Sequence, residues 1–305
     1  MTAPAMNPRR LVPPTWTRRR AELAGVAVRR GVPRRLAAHP TGRAGLLLTG
    51  ALIAVVLVGP FVSEHSPTAI DLSRKLHAPD GANLLGTDQF GRDQLARVLE
   101  GGRRSLGAAA LVVVGAMAIS LTIGVTAGMA GRLFDAVAMR IVDVLLALPG
   151  LILALAIVGV LGPSFTNLML AMVISSWAYY ARLARSYVLA VRQRGDIMAA
   201  RMAGIGWPRI VVGHIVPAVA TQLIVVATLD LGGVIVAIAS LSFLGLGVQP
   251  PDAEWGAMLS ESRLFFSTAP WLLAAPATAI LLAVTAANLI GDALRDVAAP
   301  GREGT

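Results

Sequence analysis

Long, uninterrupted runs of apolar residues dominate the hydropathy pattern of this 305-residue chain. The first, Ala44 to Val62, is long enough to cross the hydrocarbon core of a bilayer, which takes about 20 helical residues. It is too long for the core of a signal peptide, so it is expected to stay as an anchor. Further runs follow at about 105–130, 137–161, 165–183, 215–240 and 271–291. The pattern therefore predicts an all-α integral membrane protein of about six transmembrane helices.

The composition supports a membrane protein and removes several kinds of chemistry. Charged residues make up 14% of the chain and the mean hydropathy is +0.69, whereas about a quarter of a soluble domain is normally charged. The chain has no cysteine, which excludes disulfides, thiolate metal sites and a cysteine nucleophile. No two histidines have a helical metal-ligand spacing, so no metal site is predicted. The histidines are His39, His65, His77 and His214.

The basic residues predict the orientation in the membrane. With the N-terminus inside, the inner segments hold 20 of the 27 lysines and arginines, and the outer segments hold 7. Cytoplasmic loops carry the excess of basic residues, so an N-in, C-in topology is predicted. Ten of the arginines lie in residues 1–43, which we interpret as a solvated arm near an anionic membrane face. A surface helix over Leu23 to Leu36 and an organelle transit peptide are the alternatives.

The loops complete a division of the chain into five parts. The segment after the first span has mixed charge, which indicates an ordered loop, and Gly91 to Leu106 is predicted to form a short interfacial helix. The parts are a basic cytoplasmic arm (1–43), a first transmembrane helix (44–62), an extracytoplasmic loop (63–104), a five-helix core (105–295) with a cytoplasmic loop at about 184–215, and a cytoplasmic tail (296–305).

The cytoplasmic stretch from Arg182 to Val216 has the pattern of a docking element. Within it, MAARMAG (198–204) aligns small residues at i, i+4 spacing, and small residues let another backbone approach closely. Gly204, Gly206 and Pro208 are expected to end this helix and turn the chain back to the membrane. An ordinary solvated basic loop is the alternative. The aligned pairs are Ala199 with Ala203 and Ala200 with Gly204.

One carboxylate, Asp230, lies inside the fifth apolar run. A charged side chain in a span costs roughly 2.5 to 3.5 kcal/mol or more, and it normally faces a cavity or a partner. We therefore expect Asp230 either to line a pathway that favours a cationic cargo or to make a structural hydrogen bond or ion pair with another subunit. Trp255 and Trp271 lie near span ends, where aromatic residues usually anchor a helix at the membrane interface.

Several separated motifs resemble one known family, the permeases of ATP-binding-cassette importers for dipeptides, oligopeptides and nickel. The resemblance runs from about Leu46 to Arg295 and is to the subunit type with a large outer loop after its first span. It rests on the order and spacing of the motifs together. They are LLGTDQFGRD (84–93), RIVDVLLALPGLILAL (140–155), MAARMAG with HIVP (198–204 and 214–217), SFLGLGVQPPDAEWGAML (242–259), APW (269–271) and NLIGDALRD (288–296).

The resemblance implies a type I importer permease fold in the bacterial inner membrane. It implies a second homologous permease, two ATPase subunits or one fused ATPase, an extracytoplasmic binding protein and no nucleic-acid partner. ATP and magnesium would be bound by the ATPase subunits rather than by this chain. The cargo would be di- or oligopeptides, with nickel as the alternative and a self-sufficient secondary transporter as a further one. No phosphate-binding G-x-x-x-x-G-K-[ST] motif occurs, so the chain is expected to be non-catalytic.

The resemblance also carries roles over to named residues. This chain has Met198 where the family usually has a glutamate that secures the helix against its ATPase, and Asp196 is the nearby acidic residue. The implied ATPase-coupling residues are Met198, Ala199, Ala200, Ala203, Gly204, Ile215 and Pro217. The implied outer gate or binding-protein contacts, on the hairpin from Gly245 to Gly256, are Gly245, Gly247, Pro250, Pro251 and Trp255.

Overall fold

A computed structural model describes residues 36–62 and 65–298. Residues 1–35, most of the predicted basic arm, and residues 299–305, most of the predicted tail, lie outside this range, as do residues 63 and 64. No strand occurs among the described residues, which confirms the all-α prediction. The helices are α1 (Pro40–Val62), α2 (Gln94–Met129), α3 (Arg132–Leu146), α4 (Gly150–Leu161), α5 (Phe165–Val191), α6 (Gly195–Met202), α7 (Trp207–Ile210), α8 (Val216–Phe243), α9 (Trp255–Ser262) and α10 (Trp271–Ala298).

A helix lies at each of the six positions where the apolar runs predict a span. Four stretches are long and apolar enough to cross a membrane, and a bent pair of helices, α3 with α4, would make a fifth. The helix at the remaining position, α5, is not among these stretches, and it packs against α2, α3, α4 and α8. The number of spans and their orientation stay predictions. The four stretches are Pro40–Gly59, Gln94–Met129, Trp207–Phe243 and Trp271–Val297.

The third predicted span, 137–161, is not one helix. It breaks after Leu146 and resumes at Gly150 in a new direction, with a bend of 88° between α3 and α4. Pro149 explains the break, because proline has no N–H group and disfavours helical geometry at the residue before it. The carbonyl of Pro149 accepts the first hydrogen bond of α4, from the N–H of Leu153 at 3.0 Å.

The short interfacial helix predicted over 91–106 is also corrected. Gln94 begins a helix that continues without a break for 36 residues, so these turns are the start of α2. The side chain of Asp93 caps the helix by accepting a hydrogen bond from the N–H of Ala96 at 2.7 Å. The loop before it is ordered: Gly91 has a φ of +76°, and a Cβ there would lie 1.7 Å from the carbonyl oxygen of Asp71.

The tightest helix packing joins α2 to α5 along a stripe of small residues. Ala116, Ser120, Gly124 and Gly128 follow one another at four-residue intervals on α2, and all four are buried. The hydroxyl of Ser120 donates across the contact to the carbonyl of Trp177 at 2.7 Å. Small residues at such spacing let membrane helices approach closely. The stripe therefore fixes α2 against α5 through backbone-to-backbone proximity.

The bundle has two ends, and α2 connects them. We call the end that carries residues 65–93 and 244–262 the loop end, and the end that carries residues 192–215 the coupling end. Arg97, near the start of α2, contacts the loop end through Glu261, with 2.8 Å between Nη2 and Oε2. At the other end of α2, the carbonyl of Gly128 accepts a hydrogen bond from Arg192 at 2.9 Å.

Candidate functional site

The coupling segment, residues 192–215, is held to the bundle by buried isoleucines. Ile197 of α6, Ile210 of α7 and Ile215 of the following π-helical turn are each at most 1% exposed. They pack in one apolar cluster with the end of α5 and the start of α8. Ile215 is therefore an anchor inside the protein and is not available to an ATPase, which corrects its predicted role. The segment has a rigid inner side.

The opposite side of α6 faces outward and is apolar. Met198 is 55% exposed and Met202 is 83% exposed, and Ala199 and Ala203 are exposed beside them. Exposed apolar side chains grouped on one face of an ordered helix make that face a candidate interaction surface. We call Met198, Ala199, Met202 and Ala203 the α6 face. Sequence reasoning named three of these residues and missed Met202, the most exposed of them.

Gly204 ends α6 and does not belong to its face, contrary to the predicted pairing with Ala200. Its φ is +80°, a left-handed conformation that favours glycine. Its N–H donates to the carbonyl of Arg201 at 2.9 Å, and the N–H of Ile205 donates to that of Ala200 at 3.1 Å. This pair of bonds is a Schellman cap. The prediction that Gly204 terminates the helix is confirmed, and Ala200 is half-buried against the core.

Charged residues hold the remaining parts of the coupling segment in place. The guanidinium of Arg201 lies over the ring of Trp207, 4.6 Å from its centroid, and so connects α6 to α7. Asp196 pairs with its neighbour Arg194 at 3.1 Å, and both side chains are more than half exposed. Because Asp196 pairs with its neighbour Arg194, it does not take the place of the glutamate that the family usually has at the position of Met198. Pro217, in the first turn of α8, is half-buried.

The hairpin at the loop end, residues 244–254, mixes buried and exposed residues. Gly245 turns the chain with a φ of +84°, and a Cβ at Gly247 would lie 2.1 Å from the hydroxyl oxygen of Ser242. Pro250 and Pro251 are exposed, so they are available to a partner. Trp255 is 1% exposed and donates from Nε1 to the carbonyl of Val98 at 2.9 Å. It is neither an interfacial anchor nor a surface contact, which corrects both expectations.

Four buried or half-buried charged residues join the hairpin region to the loop before α2. Arg92 pairs with Asp88 at 2.6 Å and with Glu261 at 3.1 Å. Arg97, whose side chain is 1% exposed, pairs with the same Glu261 at 2.8 Å. The two arginines also donate to the carbonyl of Pro251, at 3.4 and 3.3 Å. We call Asp88, Arg92, Arg97 and Glu261 the ion cluster.

Sequence reasoning missed the ion cluster because its members are far apart in the chain. Glu261 lies 169 residues beyond Arg92, and no local pattern links them. Glu254 was missed for the same reason. It is fully buried and accepts hydrogen bonds from the hydroxyl of Ser105 at 2.7 Å and from the N–H groups of Gly256 and Ala257 at 3.0 Å. Together these contacts bring the LLGTDQFGRD and hairpin motifs into one structure.

Asp230 is half-buried in the middle of α8 and lines a cleft between α4, α5 and α8. Tyr179 and Tyr180 of α5 line the same cleft. The structure therefore places this predicted residue at a cavity, apart from both the coupling segment and the ion cluster.

Comparison with known proteins identifies the family. Residues 120–304 match the family described as the binding-protein-dependent transport system inner membrane component. The nickel transport system permease protein NikC of Escherichia coli (strain K12) is 40% identical over 254 residues, which are 83% of this chain and 92% of that protein. The chain belongs to this permease family.

Two other relatives of the permease carry peptide names. The dipeptide transport system permease protein DppC of Alkalihalophilus pseudofirmus is 41% identical over 256 residues, 84% of each chain. The di/tripeptide transport system permease protein DppC of Pseudomonas aeruginosa is 40% identical over 270 residues, 86% of this permease and 89% of that protein. These alignments confirm the resemblance that the motifs indicate. With its several apolar helices, the permease is a multi-pass membrane protein.

Proposed function

We propose that this permease is one of two related membrane subunits of an ATP-driven importer of di- and oligopeptides, and that it forms half of the translocation pathway. Its partners are a second permease, two ATPase subunits or one fused ATPase, and an extracytoplasmic binding protein. The family membership and the peptide-transport relatives support this proposal. ATP and magnesium belong to the ATPase subunits, and this chain has no catalytic role.

The observation that carries the proposal is the two-sided coupling segment. Its inner side is anchored by Ile197, Ile210 and Ile215, while the α6 face presents two exposed methionines. A segment that transmits a movement from one protein to another must be packed firmly against its own protein and must present a surface to the other. Met198 supplies apolar contact where the family usually has a carboxylate, so docking here depends on packing rather than on charge.

The distribution of charge supports an orientation for this arrangement. Arg192, Arg194, Arg201 and Arg209 lie in the coupling segment, so the coupling end belongs on the cytoplasmic side, where the ATPase is. The loop end then faces the extracytoplasmic binding protein, with Pro250 and Pro251 exposed to it. The membrane is the bacterial inner membrane.

Co-purification of the ATPase with the permease tests the coupling role. We expect Met198→Ser together with Met202→Ser to reduce the recovered ATPase by at least about tenfold, because each buried methionine contributes about 1.5–3 kcal/mol. Gln193→Ser, an exposed change in the same segment, is the control and should have no effect. Full recovery with the double variant would contradict the assignment. Gly204 is unsuited to this test because any side chain there strains the backbone.

Nickel is the second candidate cargo, because the NikC relative aligns over nearly its whole length. Uptake of labelled dipeptide, longer peptide and nickel ion, measured in cells with and without this subunit, separates the candidates. Loss of peptide uptake on deletion supports the proposal. Loss of nickel uptake alone assigns the permease to metal transport, and unchanged uptake of all three removes both assignments.

A further inference from the structure

Asp230 has an unusual position for a carboxylate. It lies half-way along the 28 residues of α8, at the level of Tyr179 and Tyr180, which are themselves near the middle of α5. These residues share a cleft of about 280 Å³. At about 30 Å³ for each water molecule, the cleft has room for about nine waters, or for a hydrated cation or an amino-terminal residue. Its other polar lining residues are Ser175 and Ser176.

The carboxylate has no cationic partner in the described part of the chain. Asp135 and Asp143 each pair with an arginine of α5, namely Arg185 and Arg182, whereas Asp230 makes no such pair there. The hydroxyl of Ser175, which also lines the cleft, donates to the carbonyl of Met172 at 3.1 Å and is engaged there. A half-buried carboxylate without a paired cation keeps most of its negative charge uncompensated.

The break between α3 and α4 lies at the edge of the cleft and leaves polar backbone groups there. Gly150 and Leu151, which line the cleft, are the first residues of α4, and no side chain caps this helix. Both residues and Ile152 are exposed, and their N–H groups have no partner within the helix. Non-helical backbone at membrane depth is stable only where it is buried in protein or lines a water-filled cavity. A water-filled cleft accounts for an exposed break at this position.

We propose that the Asp230 cleft is a site on the transport pathway that binds a cationic centre of the cargo. The centre is either the ammonium group of a peptide or a hydrated divalent metal ion, and both present N–H or O–H donors to a carboxylate. Tyr180 shares the cleft with the carboxylate, and the cleft admits the hydrated group from the side of the α3–α4 break. This inference rests on the proposed function and adds the chemical feature of the cargo that the pathway recognises.

Uptake by the complete importer in cells tests the site with three variants. Asp230→Asn keeps the shape and removes the charge, so uptake should fall by at least about tenfold, the effect of losing a charge-assisted hydrogen bond. Asp230→Glu keeps the charge and should retain most of the uptake. Asp292→Asn, the same change at an exposed carboxylate of α10, is the matched control and should transport like the parent.

The two sources of the cation are separated by the cargo. A defect of Asp230→Asn in dipeptide uptake assigns the site to an ammonium group, and a defect in nickel uptake assigns it to a metal ion. Recovery of both permeases and the ATPase after purification is measured in parallel. Wild-type uptake by Asp230→Asn would overturn the site, and so would loss of the second permease from the complex, which would mark a structural ion pair. Deletion of the subunit tests the proposed function separately, because it can abolish uptake even if Asp230→Asn does not.

Discussion

Replacing Gly124 by alanine should separate α2 from α5. A Cβ at this position would lie 2.4 Å from the Cβ of Ala184 and 2.9 Å from both the carbonyl oxygen of Ala181 and the nitrogen of Arg185. Carbon atoms pack at about 3.5–4.0 Å, so the helices must move apart by about 1 Å. Two of the three neighbours are backbone atoms and cannot rotate away. The expected cost is therefore about 3 kcal/mol, the upper end for overpacking.

The free energy of unfolding of the purified permease, measured by denaturant titration in mild detergent, checks this value. Gly107→Ala is the control, because Gly107 is exposed on the same helix and a Cβ there would meet nothing within 4 Å. In a helix that change should stabilise by about 0.5–1 kcal/mol. Adding Ala184→Gly to Gly124→Ala should restore only part of the loss, since the backbone contacts remain. Equal stability of the two single alanine variants would refute the close packing.

Three further predictions concern the two ends of the bundle. Ile197→Ala should cost about 2–5 kcal/mol and lower uptake per ATP hydrolysed while the ATPase still co-purifies, because the anchor of α6 is lost and its face is kept. Glu254→Gln should lower the unfolding free energy by about 1–3 kcal/mol, because the amide can no longer accept every bond from Ser105 and the backbone. The N–H of Asn83, followed by that of Ala82 and the charge of Arg74, lowers the pKa of Asp80. The loop before α2, residues 65–93, should therefore become protease-sensitive as pH falls below about 4. The cleavage rate should rise less steeply with falling pH in Asp80→Asn.

The sign of the pH effect follows from the direction of the shift. A carboxyl group with a lowered pKa in the folded state binds its proton less tightly than in the unfolded chain. Its contribution is complete above the ordinary aspartate pKa and is lost as pH falls through the lowered value. Protection of the loop that stayed constant across this range would contradict the hydrogen bonds of Asp80.

The sequence predicts the helices well because apolar runs of membrane length are a local signal. It also predicts the end of α6, because a glycine at a helix end is a local signal too, and Gly204 takes the left-handed conformation that this turn needs. Pro149 is a sequence signal for a kink, but hydropathy does not mark a full break at 147–149 because the residues on both sides are apolar. The continuity of α2 was hidden because the charges at its start are buried by the ion cluster, which depends on Glu261.

The errors in the candidate site have a common physical origin. Ile215 and Trp255 lie within or beside motifs that suggest partner contacts, but both are fully buried within this chain. A motif shows which residues belong to a functional region and does not show which way each side chain points. Met202 was missed for the converse reason: one more methionine in an apolar sequence carries no signal, and only the fold exposes it.

The unbroken length of α2 has a mechanical consequence. At 1.5 Å per residue, its 36 residues form a rod about 54 Å long. The ion cluster clamps one tip of this rod, and the hydrogen bond from Arg192 to Gly128 ties the other tip to the coupling segment. A tilt of about 10° around one tip would move the other by about 9 Å. A small rotation imposed at the coupling end is thus geometrically amplified into a displacement of about 9 Å at the loop end.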